Sequence, residues 1–437
     1  MNKPSGNIFL NTFKITKLDT SSIEQRYRIR SPYCDIEISE KIKEFLDYIR
    51  DNNGKSIEEI FCNFLKHNQN IDKKSLLKLI QVLLEKKILV QDQKEIDSGE
   101  QLQSQCIYRN RMSNLLFRKR LINTDKYARF FALLSFPLKK HILFSILGIY
   151  LVLDAILLYL YFFTGWGKSL IYFSAVDYFF VFILFPIVIM FFHEIGHIAA
   201  MKKYGLPTPE GMGFGLYFSF VVFYSDTHEA WNLPRKERML VSSAGFLYSI
   251  IATIPLFIVC FSLRSATIKD FLLLFHLSVI GIFNPFLKMD GYWLLSDILG
   301  IPSLHTKIKV LLEEILLKMI NFKRTILNPF SSYPKHIRKG VYIYICLYYT
   351  FMVIFLSIFA STAIRISITF DESIIYNILF IISNKTQDTE WINSLNLLLR
   401  NSFILLSSVI LGTKYVIKTT KLATNKGGRK KDEKYEY

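Results

Sequence analysis

The stretch 178-YFFVFILFPIVIMFFHEIGHIAAM-201 combines two properties that rarely occur together. It is long and apolar enough for a helix that crosses a bilayer, which needs about 20 residues. Its second half nevertheless carries His193, Glu194 and His197. Ionisable side chains inside a span are unfavourable there and usually functional. The stretch therefore predicts a membrane helix with a functional site built into it.

Further segments share this apolar character, and together they predict a membrane protein. The chain has 437 residues, of which 51% are hydrophobic and 15% aromatic, and its mean hydropathy is +0.27. This composition excludes an ordinary soluble protein, and it excludes a disordered or histone-like chain despite the net charge of +18. We expect an all-α polytopic membrane protein with about six transmembrane helices, at 141–163, 178–201, 240–261, 271–290, 341–362 and 398–413.

The distribution of positive charge orients these helices. If the first helix leaves the cytosol, 30 Lys and Arg residues lie in segments on the cytosolic side and 5 lie in the outer loops. Cytosolic loops of membrane proteins carry such an excess of Lys and Arg. Both termini are therefore predicted to be cytoplasmic. The basic segments are expected to contact anionic lipids of the bilayer, and no nucleic-acid partner is predicted.

A small domain is predicted before the first span. Apolar residues recur with helical spacing in 38–49, 56–65 and 72–89, and a short strand is expected at 26–30. We divide the chain into a cytosolic domain, a basic linker, a membrane-embedded domain and a basic cytosolic tail, at residues 1–92, 93–140, 141–417 and 418–437.

His193, Glu194 and His197 form an HExxH motif. On an α-helix, residues four apart lie on one face, so both imidazoles can reach a single metal ion. Glu194 is then placed to take a proton from a water molecule at that ion. The plainer interpretation is a polar cluster at a helix end that faces lipid headgroups. Because all three residues are ionisable and lie within a span, the metal site is favoured.

A zinc site with two histidines needs a third protein ligand and an open position for water. At 1.5 Å per residue, His193 lies about 22 Å and Asp290 about 28 Å into predicted helices that run in the same direction. The alternative for Asp290 and Gly291 is an ordinary turn at which a helix leaves the membrane. We predict one Zn²⁺ per chain, bound by His193, His197 and Asp290, with Glu194 as the catalytic residue.

The paired motifs resemble a known family. HEIGH on one span and Pro-x4-Asp-Gly on a later one are similar to the site-2-protease family of membrane-embedded zinc metallopeptidases. The stretches 226-DTHEAWNLPRKERMLVSSAG-245 and 284-NPFLKMDGYWLLSDILGIPSL-304 resemble its bacterial branch of peptide zinc metalloproteases. In that family two histidines and an aspartate bind zinc and the glutamate activates water. The resemblance, which covers about 178–304, implies peptide-bond hydrolysis in a bacterial cell membrane and a catalytic core of site-2-protease type.

Some positions depart from the family pattern. The family's Ala-Gly-Pro-x-x-Asn element reads 244-AGFLYS-249, and Asn284 lies nearer to the aspartate than in better-known members. Pro285, five residues before Asp290, follows the pattern. Neither departure touches a proposed zinc ligand. We expect Asn284 and Pro285 to contribute to substrate binding.

The segment 211-GMGFGLYFSFVVFYSD-226 is apolar, rich in glycine and unlike a helix. Non-helical backbone at membrane depth survives only if it is buried in protein or lines a cavity. One interpretation is a strand that extends a substrate peptide by edge pairing, with Gly213 and Gly215 in contact with substrate. The other is an ordinary structural hairpin.

The order of elements in 27–90 resembles the PqqD-like winged-helix domain, an α+β domain that binds leader peptides of ribosomally synthesised, modified peptides. The resemblance implies a precursor or leader peptide as substrate, with a peptide exporter or a modifying enzyme as a further partner. The predicted function is processing, or aid in export, of a modified or bacteriocin-like precursor. The alternative for this domain is a generic winged-helix adaptor.

Two other functions remain open. The first is intramembrane cleavage of a membrane-anchored regulator, which differs in having a substrate with a transmembrane segment. The second is a non-catalytic membrane adaptor or immunity protein with a structural zinc site. A structural site has no need of Glu194 or of an open position for water, so the intact motif argues against this second function.

Overall fold

The computed structural model describes residues 7–31, 34–67, 73–91, 115–164, 180–217, 220–320, 328–383 and, with gaps, 390–408. Over these residues the chain is mostly helical, with a small β-containing region at its N-terminal end. Much of the predicted linker, the end of the predicted span 398–413 and the predicted basic tail 418–437 lie outside the described residues.

The N-terminal domain combines short antiparallel sheets with three helices around one apolar core. Its elements are β1 (Phe9–Leu10), β2 (Lys14–Leu18), β3 (Arg26–Arg30), β4 (Asp35–Ser39), α1 (Glu40–Asp51), α2 (Ile57–His67), α3 (Lys73–Glu85) and β5 (Leu89–Val90). The strand predicted at 26–30 and the three predicted helices are present. Ser56 Oγ accepts a hydrogen bond from the backbone N–H of Glu59 at 3.2 Å, as expected of a helix cap.

One predicted helix boundary in this domain is wrong. Within the predicted run 38–49 the first helix begins at Glu40, with Ser39 at the N-cap position, because the preceding residues form β4, which pairs with β3. The third helix ends at Glu85 because Lys87 takes a φ of 53°, a left-handed conformation that an α-helix cannot include. The residues that follow Lys87 pair with β1 as β5.

Part of the stretch predicted to be a linker is folded. Residues Leu115–Ile122 form β6, which pairs with the first strand of a hairpin made by β7 (Met212–Tyr217) and β8 (Phe220–Ser225). A short helix, α4 (Ala128–Leu134), follows β6 and packs against the HExxH helix. The all-α description is therefore incomplete, because the membrane domain contains a three-stranded sheet. The local sequence pattern did not predict β6, because the strand that it pairs with lies far away in the sequence.

The rest of the membrane domain is helical. Its helices are α5 (Lys140–Phe163), α6 (Phe185–Lys203), α7 (Arg235–Leu263), α8 (Ala266–Ile282), α9 (Asp290–Leu299), α10 (Leu304–Ile320), α11 (Lys335–Ile368) and α12 (Tyr376–Ser383). Four of those in the described residues, α5, α6, α7 and α11, are long and apolar enough to cross a membrane. They match four of the six predicted spans and indicate a membrane protein.

The predicted span 271–290 is wrong as a single helix. Helix α8 ends at Ile282, and after a turn α9 begins at Asp290. Pro285 causes the break, because it lacks a backbone N–H and disfavours helical conformation at Asn284. Asn284 Oδ1 instead accepts a hydrogen bond from the N–H of Phe286 at 2.9 Å. At about 1.5 Å per residue, α8 is also shorter than the roughly 30 Å hydrocarbon layer.

The N-terminal domain docks on the membrane domain through polar contacts. Arg28 Nη2 lies 2.7 Å from His228 Nε2, and Arg30 pairs with Glu229. On another part of the interface, Lys307 Nζ lies 2.8 Å from Glu37 Oε2. These partners belong to the segment before α7 and to α10. The domain therefore sits at the end of the bundle where α6 finishes and α7 begins.

Candidate metal centre

Helix α6 carries the two histidines of the HExxH motif on one face. His193 and His197 are both buried, at 9% and 6% exposure, and their Nε2 atoms lie 3.2 Å apart. Helix α7 packs closely on this face because Gly196 has no side chain: a Cβ there would lie 2.9 Å from the Cβ of Tyr248. The close crossing brings α7 up to the two imidazoles.

Asp290 joins the two histidines. Its Oδ2 lies 2.8 Å from His193 Nε2 and 3.3 Å from His197 Nε2. The turn between α8 and α9 places this carboxylate at the start of α9, and Gly291 lets the turn close, since a Cβ there would lie 2.8 Å from Phe283 Cα. The structure thus brings together the three residues predicted as ligands.

The hydrogen bonds of the two Nδ1 atoms show that the Nε2 atoms of both histidines face the centre of this cluster. His197 Nδ1 lies 2.8 Å from the carbonyl oxygen of Val241, which can only accept, so Nδ1 carries a proton. Ser249 Oγ donates to the carbonyl of Gly245 at 3.2 Å and so accepts from His193 Nδ1, also at 3.2 Å. In each neutral imidazole the Nε2 lone pair therefore points inward.

With both imidazoles neutral, three lone pairs converge, and a shared cation would satisfy all three. Asp290 Oδ2 is buried and accepts no well-aligned hydrogen bond from the residues that the structure describes. Ligand atoms about 2.0 Å from a common tetrahedral zinc ion lie roughly 3.3 Å apart, close to the observed separations. Two histidines and one carboxylate are also a donor set that zinc accepts. The residues present therefore fit a zinc ion.

Gly245 on α7 leaves the space that such an ion requires. A Cβ at this position would lie 2.5 Å from His193 Nε2 and closer still to His197 Nε2. Any residue larger than glycine would therefore fill the space in front of the two nitrogens. Sequence reasoning missed the roles of Gly245 and Ser249. The sequence does contain a signal for them: the two small residues lie four positions apart in the apolar part of α7, so they share the helix face that meets α6.

Glu194 lies next to His193 on α6 and is half-buried. Its carboxylate is close enough to His197 for the two groups to interact electrostatically. Among the described residues the group that could hold a metal ion consists of His193, His197 and Asp290, so Glu194 lies beside this cluster and is not one of its ligands.

The turn that presents Asp290 is held by a hydrogen-bonded chain of aromatic residues. Tyr344 on α11 donates from its hydroxyl to the carbonyl of Pro285 at 2.8 Å, and His305 Nε2 lies 2.9 Å from the same hydroxyl. The backbone N–H of His305 donates to the hydroxyl of Tyr292 at 3.1 Å. Burial, together with the positive charge of Lys288, lowers the pKa of His305 to about 4. His305 is therefore neutral at physiological pH.

The structure gives internal roles to the residues predicted to bind substrate. Asn284 and Pro285 build the turn before Asp290. Gly213 and Gly215 lie in β7, the central strand of its sheet, where Gly213 is paired with Arg120 on one side and Tyr224 on the other. Both edges of β7 are occupied, so within the described sheet the strand of this segment that lies at an edge is β8, and edge pairing of a substrate there stays a prediction. Substrate contact at these four positions stays a prediction.

Comparison with known proteins yields one partial similarity. The chain is 29% identical over 124 residues to a Bacillus subtilis (strain 168) protein described as "Putative peptide zinc metalloprotease protein YydH". The matched region covers 28% of this chain and 48% of the relative, so the chain spans about half the length of that protein. No family model matches the chain. No solved structure matches it.

Proposed function

We propose that this protein is a membrane-embedded zinc metalloprotease that hydrolyses peptide bonds. The observation that carries the proposal is the convergence of His193 Nε2, His197 Nε2 and Asp290 Oδ2, three lone pairs in front of a glycine. The similarity to a relative described as a peptide zinc metalloprotease supports it. So do the helices long and apolar enough to cross a membrane.

The cluster and Glu194 have different tasks in this function. A bound zinc ion supplies a Lewis acid that polarises a carbonyl group and makes water more acidic. His193 and His197 would hold the ion, with ring orientations set by Ser249 and by the carbonyl of Val241. Glu194 accepts a proton at its carboxylate and returns it to the leaving amine. The surrounding apolar helices limit the access of bulk water.

The enzyme is proposed to be of site-2-protease type, with its ligands on α6 and at the start of α9. We infer that its substrate is a ribosomally synthesised, modified or bacteriocin-like precursor peptide, and that an exporter or a modifying enzyme is a further partner. The PqqD-like order of elements in 27–90 supports this, as does docking of that domain at the end of the bundle that holds the cluster. The site would lie in a bacterial cell membrane, with both termini cytoplasmic.

The test is metal content and hydrolysis by detergent-purified protein. Wild type should contain about one zinc per chain, and His197→Ala and Asp290→Ala should lose it. Glu194→Gln should keep the zinc but lose at least about 100-fold in cleavage of a peptide library read by mass spectrometry.

Each alternative function predicts a different result. A wild-type protein without zinc contradicts the proposal. Zinc without hydrolysis in any variant would favour a structural site in an adaptor or immunity protein. Cleavage restricted to substrates with a transmembrane segment would favour processing of a membrane-anchored regulator.

A further inference from the structure

A buried ion pair links α7 to α9 at a distance from the metal cluster. Arg238 Nε lies 2.5 Å from Asp297 Oδ1, and both side chains are only 3% exposed. Ser242 Oγ donates to the other oxygen of the carboxylate, Oδ2, at 3.0 Å. Both oxygens of Asp297 are thus bound to α7.

This pair lies on the same helix faces as the metal cluster. On α9, Asp297 follows Asp290 by seven residues, which is close to two full turns and places both on one side. On α7, the residues 238, 242, 245 and 249 follow the spacing of a single helical face. One face of α7 therefore contacts Asp297 at one end and the two histidines at the other. The rotation and translation of α9 along α7 determine where Asp290 lies relative to His193 and His197.

A segment of the N-terminal domain completes the junction. The backbone N–H of Arg235 donates to Asp19 Oδ2 at 2.8 Å, and Arg238 Nη2 donates to the carbonyl of Asp19 at 3.3 Å. Arg235 Nη1 donates to Ser21 Oγ at 2.9 Å, while its Nε donates to the carbonyl of Asp297 at 3.1 Å. Arg235 therefore bridges the N-terminal segment and the end of α9.

The contact at the end of α9 is close. The N–H of Ser21 donates to the carbonyl of Gly300 at 3.0 Å. Gly300 has a φ of 64°, and a Cβ at this position would lie 2.5 Å from Ser21 Oγ. The chain at Asp19–Ser21 is therefore packed directly against the C-terminal end of the helix that begins with Asp290.

A buried ion pair is a weak source of stability, because removing two charges from water offsets most of their attraction. Its directional bonds nevertheless define one arrangement of the elements that it joins. We propose that Arg238 and Asp297 are positioning residues for Asp290, and that Asp19 and Ser21 extend this clamp. The local contact of Asp19 and Ser21 with α7 and the C-terminal end of α9, rather than domain docking in general, then sets the zinc affinity of the cluster. This inference rests on the zinc site of the proposed function.

The test measures zinc binding by the full-length protein in detergent. One readout is the zinc dissociation constant from competition with a chelator, and the other is the rise in melting temperature on addition of zinc. Asp297→Asn should weaken zinc binding about tenfold, the lower end of what loss of a ligand-orienting partner causes. The double variant Asp19→Ala/Ser21→Ala should weaken it measurably but less than Asp297→Asn, because these residues contact Arg235, Arg238 and Gly300 and not a zinc ligand.

Glu37→Gln is the matched control, since it breaks the Lys307 contact elsewhere on the same interface. It should leave zinc affinity unchanged. If Asp297→Asn does not fold, Ser242→Ala removes one hydrogen bond to the same carboxylate and should weaken zinc binding measurably while leaving the ion pair in place.

The two readouts separate positioning from stability. A purely structural brace would lower the melting temperature of metal-free protein but leave the zinc-induced rise intact, and that result would overturn the proposal. Equal loss of affinity in Glu37→Gln would overturn it as well. If wild-type protein binds no zinc, it is the proposed function that fails, so the two failures are distinguishable.

Discussion

At the scale of single residues, position 245 tolerates only glycine if the site is to bind a metal ion. It lies on α7 opposite two imidazole nitrogens, and the space in front of it is where a cation would bind. The histidines alone do not make a metal site, because a side chain on the neighbouring helix would exclude the ion. An absent Cβ is thus as necessary to the cluster as the ligands themselves.

Gly245→Ala should abolish zinc binding while the protein still folds. The added methyl group competes for the space in front of His193 and His197, and alanine favours a helix over glycine by up to about 1 kcal/mol. Zinc content by mass spectrometry is the measurement. Gly281→Ala on α8 is the control, because a Cβ there meets nothing within 4 Å. Full zinc occupancy in Gly245→Ala would show that the ion lies elsewhere.

His305 makes a second prediction at this scale. Its folded-state pKa of about 4 lies below the unfolded value of about 6.5, so the folded state binds fewer protons between these values. The contribution of neutral His305 to the free energy of unfolding should therefore be fully present above pH 6.5 and should be lost as the pH falls toward 4. After solvent screening, the contribution is about 1–2 kcal/mol.

The measurement is the melting temperature against pH of wild type and His305→Gln. Burial raises the pKa of Asp226 to about 6, so that residue titrates in the same range with opposite sign. Its effect is common to both proteins, and the difference between the two curves isolates His305. Parallel curves would contradict the assignment.

At the scale of elements, polar pairs between apolar helices determine which faces meet. Asp154 Oδ1 on α5 lies 2.7 Å from His276 Nε2 on α8, and His276 Nδ1 donates to the carbonyl of Leu272 at 2.7 Å. The contact between Nε2 and the carboxylate therefore joins α5 to α8. A carboxylate that faces lipid is unfavourable, and this pairing turns Asp154 toward the neighbouring helix instead.

Asp154→Leu should destabilise the protein by about 1 kcal/mol, the typical value of a hydrogen bond between membrane helices. It leaves the ring of His276 without its partner on α5. Asp154→Asn is the control, because its amide can donate to a neutral imidazole. Unfolding in a denaturing detergent measures both. Equal losses in the two variants would show that charge, and not the hydrogen bond, holds α5 to α8.

At the scale of the whole molecule, the N-terminal domain is joined to the membrane domain by charged and polar contacts. Carbodiimide should therefore form an amide bond between Glu37 and Lys307, whose charged atoms lie 2.8 Å apart. The expected product is a cross-linked peptide pair from the two domains, detected by mass spectrometry after digestion.

Glu37→Gln should remove this product. The pair Lys309 and Glu313, one turn apart on α10 and separated by 3.5 Å, supplies an internal control for the reaction. If the internal cross-link forms and the interdomain one does not, the two domains are not docked as described.

Local sequence determined much of this protein. Spacing of four residues on a helix places His193 and His197 together without any knowledge of the fold, and runs of apolar residues mark α5, α6, α7 and α11. Helical periodicity also locates the three helices of the N-terminal domain. These features depend on interactions between residues close in the chain, and such interactions are visible as patterns.

The tertiary structure decided what depends on residues far apart in the chain. Pairing of β6 with β7, the break at Pro285 that starts a new helix at Asp290, and the approach of Gly245 to the histidines all join distant segments. Strand pairing and helix crossing depend on shape and on mutual burial, which leave little periodic trace in either partner alone. The motif therefore predicted the chemistry of the site. Helix packing alone decided that the predicted ligands meet opposite Gly245, where the absence of a side chain leaves space for an ion.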